Sequence, residues 1–419
     1  MDIINKRNLS DIYHLIKLMK IHISFDILSC NQFKETNIKS ILLTFSFLFF
    51  VNILCGQEVE TIDITGDKEI GNREIMIYTP AEYADNTAKF EVVYVLDAQQ
   101  QEFFDMVHST IAFQNGGLRP MIVVGIVSQN RNKDFLPKNK HPETIQEQAG
   151  KLGNASYFSH FIENTVFQYI DENYRTLPTK IGIGYSNGGT FINYAMLTKP
   201  HMFNAIFSID ANFNYDKGQL IDRIQNNNEL EQSNIFYYTC QTGSGKSWVN
   251  NSQKFNKLLA ENKNMTIEKD FFQSETHSSV YQQGVINAFK AYFRFQFFNS
   301  SNLIDYFKNF EENGQYVLSK KEVHRTAKFF MRFNMKEDAR KILLNFQDNL
   351  SGDIENSNDL YALFETGDLY FNLGFRDKAK EYFLFCDNKL EQNKNKLSNE
   401  FYNFGKRKIK EKLQLIDEK

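Results

Sequence analysis

From residue 58 onward the chain alternates short β-branched and apolar runs with longer stretches whose apolar residues recur at helical spacing. Eight runs read as strands: Glu58–Ile64, Arg73–Tyr78, Glu91–Leu96, Met121–Val127, Ile181–Tyr185, Ala205–Ile209, Ile235–Cys240 and Thr266–Phe272. Several, VVYVL and MIVVGIV above all, are apolar on both faces, as expected of parallel strands covered by helices. Five segments between and after them read as helices: Gln101–Phe113, Ala155–Tyr174, Gly188–Leu197, Ser252–Asn262 and Ser279–Phe298. In the second, Phe158, Phe161, Ile162, Val166, Tyr169 and Ile170 form one apolar stripe, which is core packing and no ligand box. The alternation predicts an α/β domain over 57–298, with a mostly parallel central sheet flanked by helices.

After Asn299 the strand signals stop, and 299–419 reads as helices throughout. Val323, Ala327, Phe330, Ala339 and Leu343 align at a 40-residue offset with Leu363, Gly367, Tyr370, Ala379 and Phe383. Small residues twelve apart, with an aromatic three after the first, let two antiparallel helices approach closely. LYALFETGDLYFNLGFRDKAKEYF thereby resembles a tetratricopeptide hairpin. Two such units are few for a free-standing solenoid, so this region is expected to pack on the α/β core or on another subunit. As a surface it would serve a protein partner.

The segment KSILLTFSFLFFVNILCGQ at 39–57 breaks the globular pattern. Its apolar run, Ile41–Leu54, is short for a bilayer span of about 20 residues and has the flanks of a secretory signal cleaved after Gly56. Export to the periplasm or medium is expected, and membrane association only if this run stays uncleaved as an anchor. Leu54 is too large for a lipidation signal at Cys55. The residues ahead of Lys39 exceed what a signal needs, as a start codon assigned too far upstream would leave. Residues 1–56 are therefore set apart as an N-terminal extension.

Composition adds mainly exclusions. A formal charge of -3 provides no basic field for nucleic acid. Cys30, Cys55, Cys240 and Cys386 have neither zinc-site spacing nor the density of a disulfide scaffold. No metal or organic cofactor is implied.

The candidate chemistry begins in IGIGYSNGGT at 181–190, where Gly184, Ser186 and Gly188 fit G-x-S-x-G. Alone, the pentapeptide is a glycine-rich turn. Between a strand and a helix it becomes a nucleophile elbow, with the serine forced into a tight turn that exposes its hydroxyl. The required base comes after the last strand, in FFQSETHSSVY, as His277. One oxyanion donor follows the nucleophile at Asn187, and VVYVLDAQQQ offers Ala98 and Gln99 for the other. TGSGKS at 242–247 only mimics a phosphate loop, because Cys240 stands where the first glycine belongs.

YVLDAQQ, MIVVGI followed by Arg131 and Asp134, FSHFIENTVFQYIDENYRT, GYSNGG and SETHSSV occur in the order and spacing of a known family. Over about residues 57–298 the chain resembles the putative esterases, the esterase D and siderophore esterase-like group of α/β-hydrolases. The resemblance implies an α/β-hydrolase fold and ester hydrolysis by Ser186 and His277, with the second oxyanion amide at Gln99. Departures from the family pattern are Tyr185 in place of histidine at the elbow, Asn187 in place of a small or aliphatic residue, and Ala98 in place of glycine. A larger one is that QTGSGKSWVNN at 241–251, after the seventh strand, holds no acid. Disabling that acid slows a serine protease about 10⁴-fold. Three readings stay open. Asp210, at the end of the sixth strand, is favoured as the acid; Glu275 is the alternative; and the chain works as a dyad or not at all. In the last case it is a binding or scaffold protein on a decayed hydrolase fold, recruiting a partner through its C-terminal helices.

Overall fold

The computed structural model describes residues 58–84, 88–113, 119–148, 153–225, 234–297, 299–352, 354 and 359–418. The signal-like run at 41–54 lies outside them. The chain divides into two units, Met1–Gly56 and Gln57–Lys419, and the described residues all belong to the second.

Strands β1 (Glu58–Ile64), β2 (Arg73–Thr79) and β3 (Phe90–Leu96) come first, followed by helix α1 (Gln101–Phe113) and β4 (Met121–Ile126). Short helices α2 (Arg131–Phe135) and α3 (Pro142–Gln148) lead to α4 (Ala155–Phe161), a π turn (Ile162–Val166) and α5 (Phe167–Asn173). Then β5 (Thr176–Tyr185), α6 (Asn187–Thr198), β6 (Ala205–Ile209), α7 (Gln219–Ile224), β7 (Phe236–Thr242), α8 (Lys246–Leu259), β8 (Thr266–Phe272) and α9 (Val280–Phe297) complete the α/β part. The sheet order is β1-β2-β4-β3-β5-β6-β7-β8. β2 runs against both its neighbours, and every pairing from β4 to β8 is parallel. This is the α/β-hydrolase arrangement.

The short helices α2, α3 and α7 were not among those expected, being too short to show a helical period, and three expected elements differ in extent or continuity. β5 begins at Thr176, five residues before its apolar run, because Phe90 pairs with Thr176 across a register irregularity that accommodates Pro178. The helix expected over Ala155–Tyr174 is interrupted by the π turn, a local widening that apolar periodicity does not reveal. α8 begins at Lys246, six residues before the expected Ser252, since its first turn, KSWVNN, carries no apolar stripe.

Alternate residues of each central strand face two separate cores. Val92, Tyr94 and Ile206 pack against α4, α5 and α6 on one face. Val93, Val95, Ile181 and Phe207 pack against α1 and α9 on the other, where Phe207 meets the Phe289 ring at 5.2 Å. That second core continues without a break into the C-terminal helices: α10 (Ser300–Glu312), α11 (Lys320–Arg332), α12 (Lys336–Asn345), α13 (Leu360–Asn372), α14 (Arg376–Gln392) and α15 (Asn399–Asp417). α11 opens with a capping box between Ser319 and Glu322. α11 packs on α12 and α13 on α14, and Gly367 lets the Phe383 ring come so close that a Cβ would lie 2.8 Å from it.

The helical region joins the α/β part at the amino ends of the strands. Glu91, the second residue of β3, is fully buried and accepts hydrogen bonds from Tyr292 (3.2 Å) and Tyr306 (2.6 Å). Tyr306 also bonds Thr179 of β5 at 2.7 Å. Arg119, just before β4, lies over the Phe307 ring at 4.3 Å and 3.8 Å from Glu322. Lys89 donates its N–H to Tyr316, whose hydroxyl also bonds Glu322. Burial pushes the Glu91 carboxyl above its ordinary range, against the opposing pull of Arg119 and the two tyrosines.

A carboxyl raised in this way lends stability below its unfolded pKa of about 4.3 and loses it as the pH rises through the folded value. Glu91→Gln, which keeps the acceptor without the charge, should therefore gain in melting temperature over wild type as the pH is raised from about 4 to about 8. Glu91→Leu takes the acceptor from Tyr292 and should destabilise by about 1–3 kcal/mol in urea titrations. Removing residues 299–419 uncovers this junction and the core beneath it, so the truncated chain should aggregate on expression. A soluble, monomeric truncation would show that the C-terminal helices are not needed to cover this core.

Candidate active site

Ser186 lies between β5 and α6 with φ +57°, a conformation that side chains other than glycine rarely adopt. Packing enforces it. A Cβ on Gly184 would lie 2.2 Å from the Gly188 carbonyl oxygen, and one on Gly189 2.7 Å from the Ala211 Cβ, so glycine alone lets α6 start this close to β5 and β6. The Ser186 N–H donates to Ile209 O at 3.1 Å, while its carbonyl accepts from Thr190 (3.0 Å) and Asn212 (3.1 Å). With the backbone pinned on both sides, a strain of about 1–3 kcal/mol is sustained and the hydroxyl is held out from the carboxyl edge of the sheet.

His277 follows β8, three residues before α9, and is about one-third exposed. Its Nε2 lies 3.1 Å from Ser186 Oγ and its Nδ1 2.7 Å from Asp210 Oδ2. Asp210 follows β6 directly, is buried, and takes φ +40°. Three further donors reach its carboxylate: the Thr242 N–H (3.1 Å), the Thr242 hydroxyl (3.0 Å) and the Trp248 indole N–H (3.1 Å). Burial pushes the Asp210 carboxyl up. Its bonds from His277, Thr242 and Trp248 outweigh that and hold it below the ordinary aspartate range, so it is ionised at neutral pH. Glu275 is not brought to the imidazole; its carboxylate accepts from Ser279 at 2.5 Å.

The imidazole is gripped on other sides as well. The Tyr185 ring stacks on it at 4.9 Å and the Trp248 ring meets it edge-on at 5.1 Å. The Tyr185 hydroxyl donates to the His277 carbonyl. Burial and the Asp210 charge push that phenol up to about 12, keeping it a neutral donor.

The two main-chain N–H groups expected from the sequence to receive an oxyanion belong to Asn187 and Gln99. Asn187 is the first residue of α6, so its N–H has no intrahelical acceptor. The Gln99 side chain is fixed by donating to Asp97 (2.7 Å) and accepting from Ser128 N–H (3.0 Å). Among the described residues neither main-chain N–H has an acceptor. Asp97 is a buried carboxylate beside this spot, 3.2 Å from where a Gly188 Cβ would stand. Left unpaired it would oppose a developing oxyanion, but Arg131 covers it through Nε (2.9 Å) and Nη2 (3.0 Å). Among the described residues no group of three or more His, Cys, Asp or Glu is placed to hold a metal ion.

Of the residues named from the sequence, the structure brings Ser186, His277 and Asp210 into one run of hydrogen bonds, and the contacts that orient them were not foreseen. Thr242 and Trp248 sit in and beside TGSGKS, a stretch set aside as a phosphate-loop mimic; the lone tryptophan immediately after it was the available signal. Asp97 stood in full view in LDAQQ, next to the residues examined for the oxyanion.

The family model described as "Putative esterase" matches residues 70–301, more than half of the chain, and the chain belongs to that family. A Bacillus subtilis (strain 168) protein described as "Uncharacterized protein YbbA" is 28% identical over 158 residues, 36% of this chain and 61% of that protein. The match thus spans less than two thirds of that relative. An IroE-like serine hydrolase from Shewanella oneidensis is similar in structure with a TM-score of 0.57 at 21% identity, covering 70% of this chain and 99% of that one. A siderophore hydrolase, EstA, from Aspergillus nidulans follows with a TM-score of 0.49 at 16% identity, covering 56% and 93%.

The depressed Asp210 carboxyl lends stability above its unfolded pKa of about 3.9, and that stability is lost as the pH falls through the folded value. Trp248→Phe removes one donor and raises the carboxyl. The difference in unfolding free energy between about pH 7 and about pH 3 should then be smaller than in wild type. An unchanged difference, measured by urea titration, would mean that the indole bond does nothing for the charge.

Proposed function

We propose that the protein is a serine carboxylic ester hydrolase that works through an acyl-enzyme on Ser186. The observation that carries this reading is the continuous run of bonds from Asp210 through His277 to Ser186, at 2.7 and 3.1 Å. His277 Nε2 takes the hydroxyl proton as Ser186 Oγ adds to the ester carbonyl carbon. The carbonyl π pair moves onto oxygen, where the N–H groups of Gln99 and Asn187 receive the charge, helped by the amino end of α6. Collapse of the adduct breaks the bond to the alcohol, which leaves with the proton from His277. Water then attacks the acyl-enzyme with His277 again as base, releasing the acid and restoring Ser186. Asp210, ionised throughout, fixes the Nδ1–H tautomer and stabilises the imidazolium.

The scaffold alternative was motivated by the missing acid after β7. A carboxylate already bonded to His277 takes that motive away. Export by the segment at 39–57, and a partner surface on two tetratricopeptide-like hairpins, belong to the same proposal. The sequence pattern supports both, and the hairpin packing of α11 to α14 supports the second.

A fluorophosphonate probe should label wild type and leave Ser186→Ala unlabelled; absence of label on both returns the scaffold reading. Asp210→Asn should lower esterase kcat by about 10³- to 10⁴-fold with little change in melting temperature. Glu275→Gln should fall less than about threefold. If the two variants exchange these outcomes, Glu275 is the acid.

A further inference from the structure

The four parallel strand ends nearest Ser186 each open into a segment rich in side-chain amides: DAQQQ after β3, SQNRN after β4, SNGG after β5 and DANFN after β6. In the folded chain several of these amides form one hydrogen-bonded ladder that includes the residue after the nucleophile. Asn187 Nδ2 donates to Asn132 Oδ1 (2.9 Å), and Asn212 Nδ2 to Asn187 Oδ1 (2.9 Å). Asn212 Oδ1 accepts from the Asn214 N–H (3.2 Å), while Asn214 Nδ2 donates to Ser247 Oγ (3.2 Å) and Asn214 Oδ1 accepts from Asn251 (2.7 Å). The ladder thus runs from α2, past the nucleophile, to the start of α8.

A side-chain amide carries two N–H donors and two acceptor lone pairs. In the ladder Asn187, Asn212 and Asn214 each use one donor and one acceptor on a neighbour. Each keeps one of both kinds, in an orientation its neighbour fixes. All three are half-exposed. Such a row matches groups that both donate and accept, which are hydroxyls, and it supplies no charge for a carboxylate or phosphate. The adjacent guanidinium of Arg131 is already bonded to Asp97. Preorganised amides discriminate well because a ligand without hydroxyls leaves them unpaired on binding.

We infer that the ladder of Asn132, Asn187, Asn212 and Asn214 is a specificity subsite for a neutral polyhydroxylated group, sugar-like in its density of hydroxyls, carried by the ester. This rests on the esterase reading above and adds the chemistry of its substrate. The hydroxyls belong either to the alcohol half or to the acyl half.

The test compares kcat/KM of the full chain for 6-O-acetylglucose, methyl gluconate, ethyl acetate, monoethyl succinate and 4-nitrophenyl acetate. Expected is a preference of at least about tenfold for acetylglucose over ethyl acetate if the alcohol half is read, or for methyl gluconate if the acyl half is read. In the double variant Asn212→Ala/Asn214→Ala the preferred substrate should lose about tenfold, chiefly in KM, while 4-nitrophenyl acetate loses less than about threefold. Hydrolysis of 4-nitrophenyl acetate with no preference for either hydroxylated ester, or with monoethyl succinate preferred, overturns the subsite and leaves the esterase reading standing. Equal losses on all substrates in the variant also overturn it, since they would mean the ladder only supports Ser186. Failure of the fluorophosphonate probe to label Ser186 would instead sink the underlying reading, and the subsite with it.

Discussion

The bond between His277 and Asp210 fixes the geometry of the catalytic edge, and it depends on where a buried negative charge can be held. A carboxylate removed from water at the end of β6 is unfavourable unless donors surround it. Here β7 and the first turn of α8 supply them, through the Thr242 amide and hydroxyl and the Trp248 indole. The carboxylate bonded to the imidazole therefore rises from the end of β6, while the neighbouring strand β7 supplies donors to it. Neighbouring strands lie about 4.8 Å apart, a distance that a change of side-chain direction absorbs. Seen from the imidazole, the arrangement presents a single ionised oxygen at Nδ1.

That arrangement sets the limits of what the sequence disclosed. Ser186 and His277 were legible because each depends on local context, a strand-turn-helix and a loop after the last strand, and because their order along the chain is diagnostic. Asp210 was legible only as one of several acids near strand ends, since choosing among them requires knowing which side chain the fold turns inward. Thr242 and Trp248 lie 32 and 38 residues from their acceptor, and nothing in GSGKSW suggests a contact at that separation. Periodicity located the strands and the longer helices of the α/β part, missed the short α2, α3 and α7, whose few residues carry too little of a repeat, and failed at Pro178, the π turn and the start of α8, where irregular backbone replaces a repeating pattern. Glu91 was passed over because a single glutamate in an apolar run reads as the solvent-facing end of a strand; its burial follows from helices more than 200 residues away.

Two of the polar clusters among the described residues stand at opposite ends of the same sheet. Ser186, His277 and Asp210 gather where the parallel strands end, while Glu91, Arg119 and Thr179 meet the C-terminal helices where those strands begin. The helical region consequently does not roof the catalytic edge. Its attachment is to the amino-end side, through tyrosines whose hydroxyls both bond Oε1 of the buried Glu91 carboxyl, while Oε2 has no hydrogen-bond partner among the described residues.

α9 reaches both clusters, starting three residues after His277 and carrying Tyr292 to Glu91 near its other end, and β5 spans them too, from Thr179 to Tyr185. A rigid helix in that position would pass any disturbance of the junction to the catalytic loop if the loop had no other anchor. It has three: the Asp210 carboxylate at Nδ1, the Tyr185 hydroxyl at the carbonyl, and the two aromatic rings against the imidazole. Those contacts come from β5, from the residue after β6 and from α8; of these, β5 also meets the junction, through Thr179 near its other end. The imidazole is thus held by side chains of the sheet and of α8, and β5 is the strand that ties this grip to the junction with the C-terminal helices.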